Sequence, residues 1–373
     1  MSEEKSKAEK IQDSSPEHDL TAKKLEIVEQ EIYIDKIKDR RLPKWIIPLI
    51  VVFIITLSLI FLVPNLFNQF LSKQATENVV ETEEPDPFLR EAEAVINQKS
   101  VHLFVEPSLR AISTTSAIYN EPVKILNAQP NNGFYQIELA DGSQGYVPQA
   151  SLTFDLISLN SDAIKNKVLL INREKVIASD TVGGNILATV PMGCLLYADY
   201  VTDNVVRVIL PGGEVGWMSR ENLLVIQANQ TIPEPEKKKA DIFCSSALMF
   251  INVAYVPGGI DMEGIDIPGI VYLSGKTNGL DIPRDMQKQS KQGTQISFER
   301  NKDESANIDA LKPGDLLFFS LENDPDQIDS SAIYMADGNI LYASGNMSSV
   351  QIISLANNEK LSKDLIVVKR LFE

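Results

Sequence analysis

The chain has 373 residues, a formal net charge of −16 and a sequence pI of about 4.7. Its length accommodates two or three domains, and an acidic chain without basic clusters argues against nucleic acid as a partner. The two cysteines, Cys194 and Cys244, fall in segments assigned below to different domains, which excludes an intradomain disulfide framework. No metal and no cofactor is expected.

Residues 1–44 form a polar tail. Its first half has no apolar period and is predicted to be disordered. Leu25, Val28 and Ile32 then stand at helical spacing, which fits either a juxtamembrane amphipathic helix or a helical extension of the apolar run after it. That run, residues 45–63 from Trp45 to Val63, is almost wholly apolar. At about 1.5 Å per residue it spans roughly 28 Å, close to one bilayer core. A cleaved signal peptide would have a shorter run and a small-residue cleavage site, whereas here Pro64-Asn65-Leu66-Phe67 comes next. Lys36, Lys38, Arg40, Arg41 and Lys44 precede the run, and Glu81, Glu83, Glu84 and Asp86 come after it. Positive residues stay inside, so the tail is expected in the cytoplasm and the remainder outside. Residues 64–98, acidic with Pro85 and Pro87, read as a spacer.

An internal repeat comes after the spacer. Residues 134–152 and 205–223 each carry a period-2 strand, a glycine-containing turn, a Gly-aromatic-apolar step and a leucine seven residues after the glycine. Gly145, Tyr146 and Leu152 correspond to Gly216, Trp217 and Leu223. Alternating strands around such turns predict two small antiparallel barrels, at 99–156 and 157–228, with Tyr146 and Trp217 read as barrel core. The pattern resembles bacterial SH3-like domains. That resemblance implies either binding of cell-wall peptides and shaping of a neighbouring groove, or a purely spacing role. Residues 229–239, rich in proline and lysine, read as a solvated linker.

Residues 240–373 carry a series of motifs. A buried helix is expected from Asp241 to Val253, then Tyr255-Val256-Pro257-Gly258-Gly259. Asp266-Ile267-Pro268-Gly269 heads a second helix, Ile270 to Thr277, with Pro283-Arg284 and Gln287–Gly293 beyond it. Next come Leu311-Lys312-Pro313-Gly314-Asp315-Leu316-Leu317-Phe318-Phe319 and a hairpin from Ala332 to Ala343. In this order the motifs resemble the NlpC-type cell-wall peptidases, papain-like cysteine hydrolases of the gamma-D-glutamyl-diamino-acid endopeptidase family that cut peptidoglycan stem peptides. The implied fold class is α+β: a papain-like NlpC-type domain preceded by two small all-β SH3-like barrels and one transmembrane helix.

The resemblance also locates the catalytic positions, and none holds a catalytic residue. Ile267 stands where the family has its nucleophilic cysteine, with Pro268 in place of the following serine. Ser330, or Ser331 if the turn slips by one, stands where the family has its base, and Tyr342 stands at the third, orienting position. A Cys–His hydrolase needs a thiolate and an imidazole to generate it. The only histidines, His18 and His102, lie far upstream. The expectation is a pseudoenzyme. The alternative, an active endopeptidase with relocated residues, would use Cys244, whose surroundings faintly resemble the lost motif but whose domain has no histidine; a buried apolar cysteine is the plainer reading. Tyr255 and Asp266 match residues that in the family help to hold the amino end of the peptide, and are the ligand-binding candidates. Alternatively Tyr255 packs and Asp266 caps the second helix. The resemblance places any peptide site at the junction of the second barrel with this domain. The expected protein is a single-pass protein of the bacterial cytoplasmic membrane, N-terminus inside, that binds a peptidoglycan stem peptide or an envelope protein partner. A purely structural subunit with a closed groove remains the other reading.

Overall fold

The structure, a computed structural model, describes residues 87–372. The tail, the apolar run 45–63 and the spacer through residue 86 lie outside the described residues. Among the described residues no helix is long and apolar enough to cross a membrane.

A short helix, α1 (Pro87–Glu91), leads into a first sheet of β1 (Ala94–Ile96), β2 (Ser100–Phe104), β3 (Ser113–Ile118), β4 (Pro122–Ile125), β5 (Phe134–Glu138), β6 (Gln144–Pro148) and β7 (Leu152–Thr153). The sheet opens inside the stretch read as spacer. Ala94, Val95 and Ile96 are fully buried between β4 and β7, a run too short to show a period in sequence. After α2 (Ile157–Asn160) a second sheet contains β8 (Asn166–Leu170), β9 (Glu174–Ala178), β10 (Ile186–Pro191), β11 (Leu195–Val201), β12 (Val205–Ile209), β13 (Val215–Ser219) and β14 (Leu223–Gln227). The strand orders are β3-β2-β6-β5-β4-β1-β7 and β10-β9-β13-β12-β11-β8-β14, so the second sheet repeats the first strand for strand.

The repeat explains its own glycines. A Cβ on Gly145 would lie 2.7 Å from Cβ of Leu103 on β2, and one on Gly216 would lie 2.3 Å from Cγ2 of Ile177 on β9, the equivalent strand. Real Cβ atoms do not approach so closely, so both copies use glycine where the neighbouring strand crosses. Side chains alternate along a strand, so an inward glycine turns the following aromatic outward. Tyr146 and Trp217 are accordingly half-buried on the outer faces rather than part of the barrel core, which corrects the sequence expectation. Trp217 meets Tyr200 edge-on with ring centroids 5.9 Å apart.

The C-terminal region contains α3 (Lys239–Leu248), α4 (Ile267–Lys276), α5 (Met286–Gln289), β15 (Thr294–Gln295), β16 (Leu316–Phe319), β17 (Ser330–Ala336), β18 (Asn339–Tyr342), β19 (Gln351–Ser354), α6 (Glu359–Asp364) and β20 (Leu365–Arg370), with sheet order β15-β20-β16-β17-β18-β19. Helix α3 stops short of Val253, and Asn252 just beyond it adopts a left-handed φ of +67°. Helix α4 begins at Ile267, three residues earlier than expected. One face of the sheet (Leu316, Phe318, Ile333, Leu341) packs on Phe243 of α3 and Ile270 of α4. The other (Leu317, Phe319, Tyr334, Ile340) closes over Leu355 and Leu361. The Pro-Gly-Asp turn before β16 has a structural purpose. Gly314 takes φ +88°, and the buried Asp315 carboxylate accepts the Lys312 amide at 2.8 Å and pairs with the Arg370 guanidinium at 2.7 Å.

The sheets and the C-terminal region are tied by specific contacts. Lys99, just ahead of β2, pairs with Glu174 of the second sheet and with Asp261 and Glu263 of the C-terminal region. Gly193 lets the second sheet close on α4, its missing Cβ lying 2.7 Å from Leu273. On α4 the Tyr272 hydroxyl donates to Glu121, in the β3–β4 turn of the first sheet, and accepts from Lys276. Burial pushes the Tyr272 phenol up, and the Glu121 charge pushes it further.

Candidate functional site

Asp266 is the N-cap of α4. Its backbone is extended, and its Oδ1 accepts the Gly269 amide at 2.8 Å. Oδ2 accepts the Gly258 amide at 2.7 Å, and the Arg284 guanidinium lies 2.7 Å from Oδ1. Arg284 is 3% exposed and also donates to the Gly259 carbonyl at 2.9 Å. One carboxylate thus serves as helix cap, loop anchor and ion-pair partner. Its charge is neutralised within the chain, so of its two sequence-derived roles the structure fills the cap. Asparagine would keep the cap but would replace an acceptor of the buried pair by an amide.

The surrounding motif residues serve the same junction. A Cβ on Gly269 would sit 2.7 Å from the Gly259 carbonyl oxygen, so α4 rests on the Gly258-Gly259 loop only with glycine there. Gln289, fully buried, donates to the carbonyls of Pro268 at 2.9 Å and Pro283 at 2.8 Å. It fastens the start of α4 to the Pro283-Arg284 segment.

Ile267, which the sequence resemblance aligns with the family nucleophile, is the first residue of α4 and is 2% exposed, in the core with Ile270, Ile333 and Leu341. Ser330 and Tyr342 do meet: the Tyr342 hydroxyl donates to Ser330 Oγ at 3.3 Å. They share the sheet face of Phe319, which Tyr342 meets edge-on. Ser331 alternates to the face of Phe318, where its buried hydroxyl has no partner among the described residues. The register therefore pairs Ser330, not Ser331, with Tyr342. A one-residue slip would reverse the face. An aliphatic side chain and two hydroxyls supply neither a thiolate nor a base near neutral pH.

Cys244 sits on α3 and is 7% exposed. Burial, with Asp241 and Asp315 adding to it, pushes its thiol up to about 12, the opposite of an activated nucleophile. Cys194 is fully buried, and its thiol is pushed higher still. Both are free.

The wall of the site comes from the first sheet, not the second, which corrects the expected junction. Ser116 Oγ on β3 donates to the Gly258 carbonyl at 2.6 Å. It also lies 2.8 Å from Nδ1 of His102 on β2, and Ser113 Oγ lies 3.2 Å from the same nitrogen while donating to the Thr115 carbonyl. Both hydroxyl protons are spent on carbonyls, so Nδ1 carries the imidazole proton and donates to the serines; this tautomer is assigned from the network. On the other side Asp141, in the β5–β6 turn, accepts the Arg284 amide at 3.0 Å, and its carbonyl accepts Lys288 Nζ at 2.7 Å. His102, Ser116, Asp141, Arg284 and Gln289 were not legible as site residues. The Ser116–Gly258 bond spans 142 positions, and no local spacing signals it. Tyr255, half-buried, receives no hydrogen bond to its hydroxyl among the described residues. Its phenol is pushed up by burial, then by Asp266 and Tyr342.

Breaking a buried ion pair by removing one partner costs about 3–5 kcal/mol. Arg284→Met is expected to lower the urea midpoint of the full chain by a loss at the lower end of that range, since Asp266 keeps some exposure. The double variant Asp266→Asn/Arg284→Met is expected to recover part of the loss, because no unpaired charge is left. A double variant as unstable as the sum of the two singles would contradict this account of the pair.

Residues 252–370 match the NlpC/P60 family. The chain is 30% identical over 149 residues to a gamma-D-glutamyl-L-lysine dipeptidyl-peptidase of Bacillus cereus, an alignment covering 40% of this chain and 41% of that one. A protein of the same name from Bacillus subtilis is 29% identical over 39% of this chain and 46% of its own. The chain thus spans less than half the length of these two relatives. Dipeptidyl-peptidase 6 of Lysinibacillus sphaericus is 26% identical over 72% of this chain and 93% of its own. The crystal structure of an NlpC/P60 family protein from Bacillus cereus superposes with a TM-score of 0.64 at 19% identity, covering 75% of this chain and 99% of that one, and so shares its fold. The C-terminal region of this chain is an NlpC/P60 domain, homologous to gamma-D-glutamyl-L-lysine peptidases.

Proposed function

We propose that this is a non-catalytic envelope protein that holds peptidoglycan stem peptides, or a protein partner presenting similar chemistry, against the first sheet and the NlpC/P60 domain. The observation that carries the reading is Ile267: a 2% exposed aliphatic residue heads α4 where the family has its nucleophile. The buried, strongly protonated Cys244 supports it, since no other thiol lies in the domain. His102 stands near the site but has no thiol to activate. Tyr255, whose hydroxyl has no hydrogen-bond partner among the described residues, stands beside Asp266 and is the residue most available to a ligand. In this reading the two sheets are SH3-like modules. Residues 45–63 anchor the chain in the cytoplasmic membrane and hold the described part outside.

Incubation of the full chain with purified stem peptides, with mass spectrometry as the readout, is expected to show no cleavage. Cleavage that is lost in Cys244→Ala would sink the non-catalytic reading. Tyr255→Phe is expected to weaken stem-peptide binding several-fold, the loss of one hydrogen bond worth about 1 kcal/mol; no binding by the wild type at millimolar peptide would favour a protein partner. For topology, protease added outside the membrane is expected to remove the C-terminal region and spare the tail. A soluble protein starting near residue 70 would contradict the anchor.

A further inference from the structure

The outer face of the second sheet carries a cluster that the first sheet lacks. Tyr200 on β11, Arg207 on β12 and Trp217 on β13 stand opposite one another in one cross-strand row. The Arg207 guanidinium lies 5.9 Å from the Tyr200 ring centroid and 5.4 Å from that of Trp217. Asp199 fixes it there, accepting from Nε at 2.9 Å and from Nη2 at 2.8 Å. The equivalent row of the first sheet is Leu126, Gln136 and Tyr146, with neither the ion pair nor the second ring. Both sheets have the same strand order, so the fold does not require the cluster.

A break in register builds it. Ala198 pairs with Val208 and Tyr200 with Arg207, so Asp199 is an extra residue on β11. The corresponding β4–β5 pairing runs through Lys124 and Ile125 without a shift. Bulges of this kind disrupt the ladder and re-aim a side chain, and here Asp199 is turned onto Arg207.

The cluster is open to solvent. Tyr200 is 47% exposed and the Arg207 side chain 37%. On the side of Tyr200 away from Arg207, β8 begins at Asn166, opposite Ala198, so no strand residue faces the ring there. A guanidinium has five N–H groups. Asp199 takes two of them, and those on Nη1 have no partner among the described residues. Because Asp199 also balances the charge, an ionic ligand gains little from the pair. The matching ligand is uncharged, has an apolar face for an aromatic ring and carries adjacent groups that both donate and accept. A gluco-configured pyranose has these features. Its hydroxyls are equatorial, which leaves axial C–H groups on both faces and vicinal hydroxyls at the rim.

We infer that this face of the second sheet is a carbohydrate-binding site. It stacks a gluco-configured pyranose of a glycan on Tyr200, with one hydroxyl donating to the Asp199 carboxylate and its neighbour accepting from Arg207 Nη1. The site uses none of the residues around Asp266 and does not rest on stem-peptide binding.

Trp217 reports on the cluster directly, since the only other tryptophan is Trp45. Tryptophan fluorescence of the full chain is titrated with cellotetraose, which has a hydroxyl at C2, and with chitotetraose, which has the same linkage and an acetamido group there. At least one is expected to give a saturable change at millimolar concentration. The tighter of the two identifies the source, a neutral polysaccharide or an amino-sugar glycan. Tyr200→Ala is expected to weaken that binding about five-fold, the size of an aromatic contact, and Tyr200→Phe to preserve it. Asp199→Asn is expected to weaken it about ten-fold, the size of a lost charge-assisted hydrogen bond. Tyr146→Ala, at the equivalent place in the first sheet, is expected to leave it unchanged. No response to either tetrasaccharide, or an affinity indifferent to both Tyr200→Ala and Asp199→Asn, would overturn the site. A saturable Trp217 response to stem peptides and to neither sugar would overturn its assignment to carbohydrate.

Discussion

The buried pairing of Asp266 with Arg284 is the constraint around which the site is built. One carboxylate caps α4, takes the Gly258 amide and neutralises a guanidinium that in turn holds the Gly259 carbonyl. A buried charge is tolerated only when paired and hydrogen-bonded, so the loop, the helix start and the Pro283-Arg284 segment are placed together or not at all. Gln289 and Gly269 complete the junction through the Pro268 and Pro283 carbonyls and the close approach of Gly259. The first sheet then docks on the finished loop through Ser116 and on the Arg284 segment through Asp141. The junction is thus fully built, with Ile267 buried as the first residue of α4.

The motifs that the sequence exposes are those whose signal is local. The Asp-x-x-Gly cap, the Pro-Gly-Asp turn with its left-handed Gly314, and the Gly-aromatic step of the repeat each depend on residues a few positions apart, and each is legible from the order of amino acids alone. The errors come from two physical sources. Period-2 alternation gives the two faces of a strand but not which face is covered, so Tyr146 and Trp217 read as core although the inward positions belong to Gly145 and Gly216. Contacts distant in sequence leave no trace in spacing. Hence His102 reads as remote although Ser116 links it to the Gly258 loop, and the second sheet reads as the wall of the site although the first one occupies that place. The start of α4 at Ile267 is the one the legible Asp266 cap requires; the later start at Ile270 counts Ile267–Gly269 with the motif ahead of the helix rather than as its first turn.

The non-catalytic reading rests on the state of the thiols more than on the absence of histidine from the domain, because the fold brings His102 close to the site. The thiolates can be titrated directly by absorbance near 240 nm in the folded full chain. With Cys244 held up to about 12 and Cys194 higher, the account predicts no thiolate step between about pH 5 and about pH 9, a window that contains the roughly 8.5 of an ordinary free cysteine. A step below about pH 8 that disappears in Cys244→Ala, with the fold retained, would show an activated nucleophile and contradict the account.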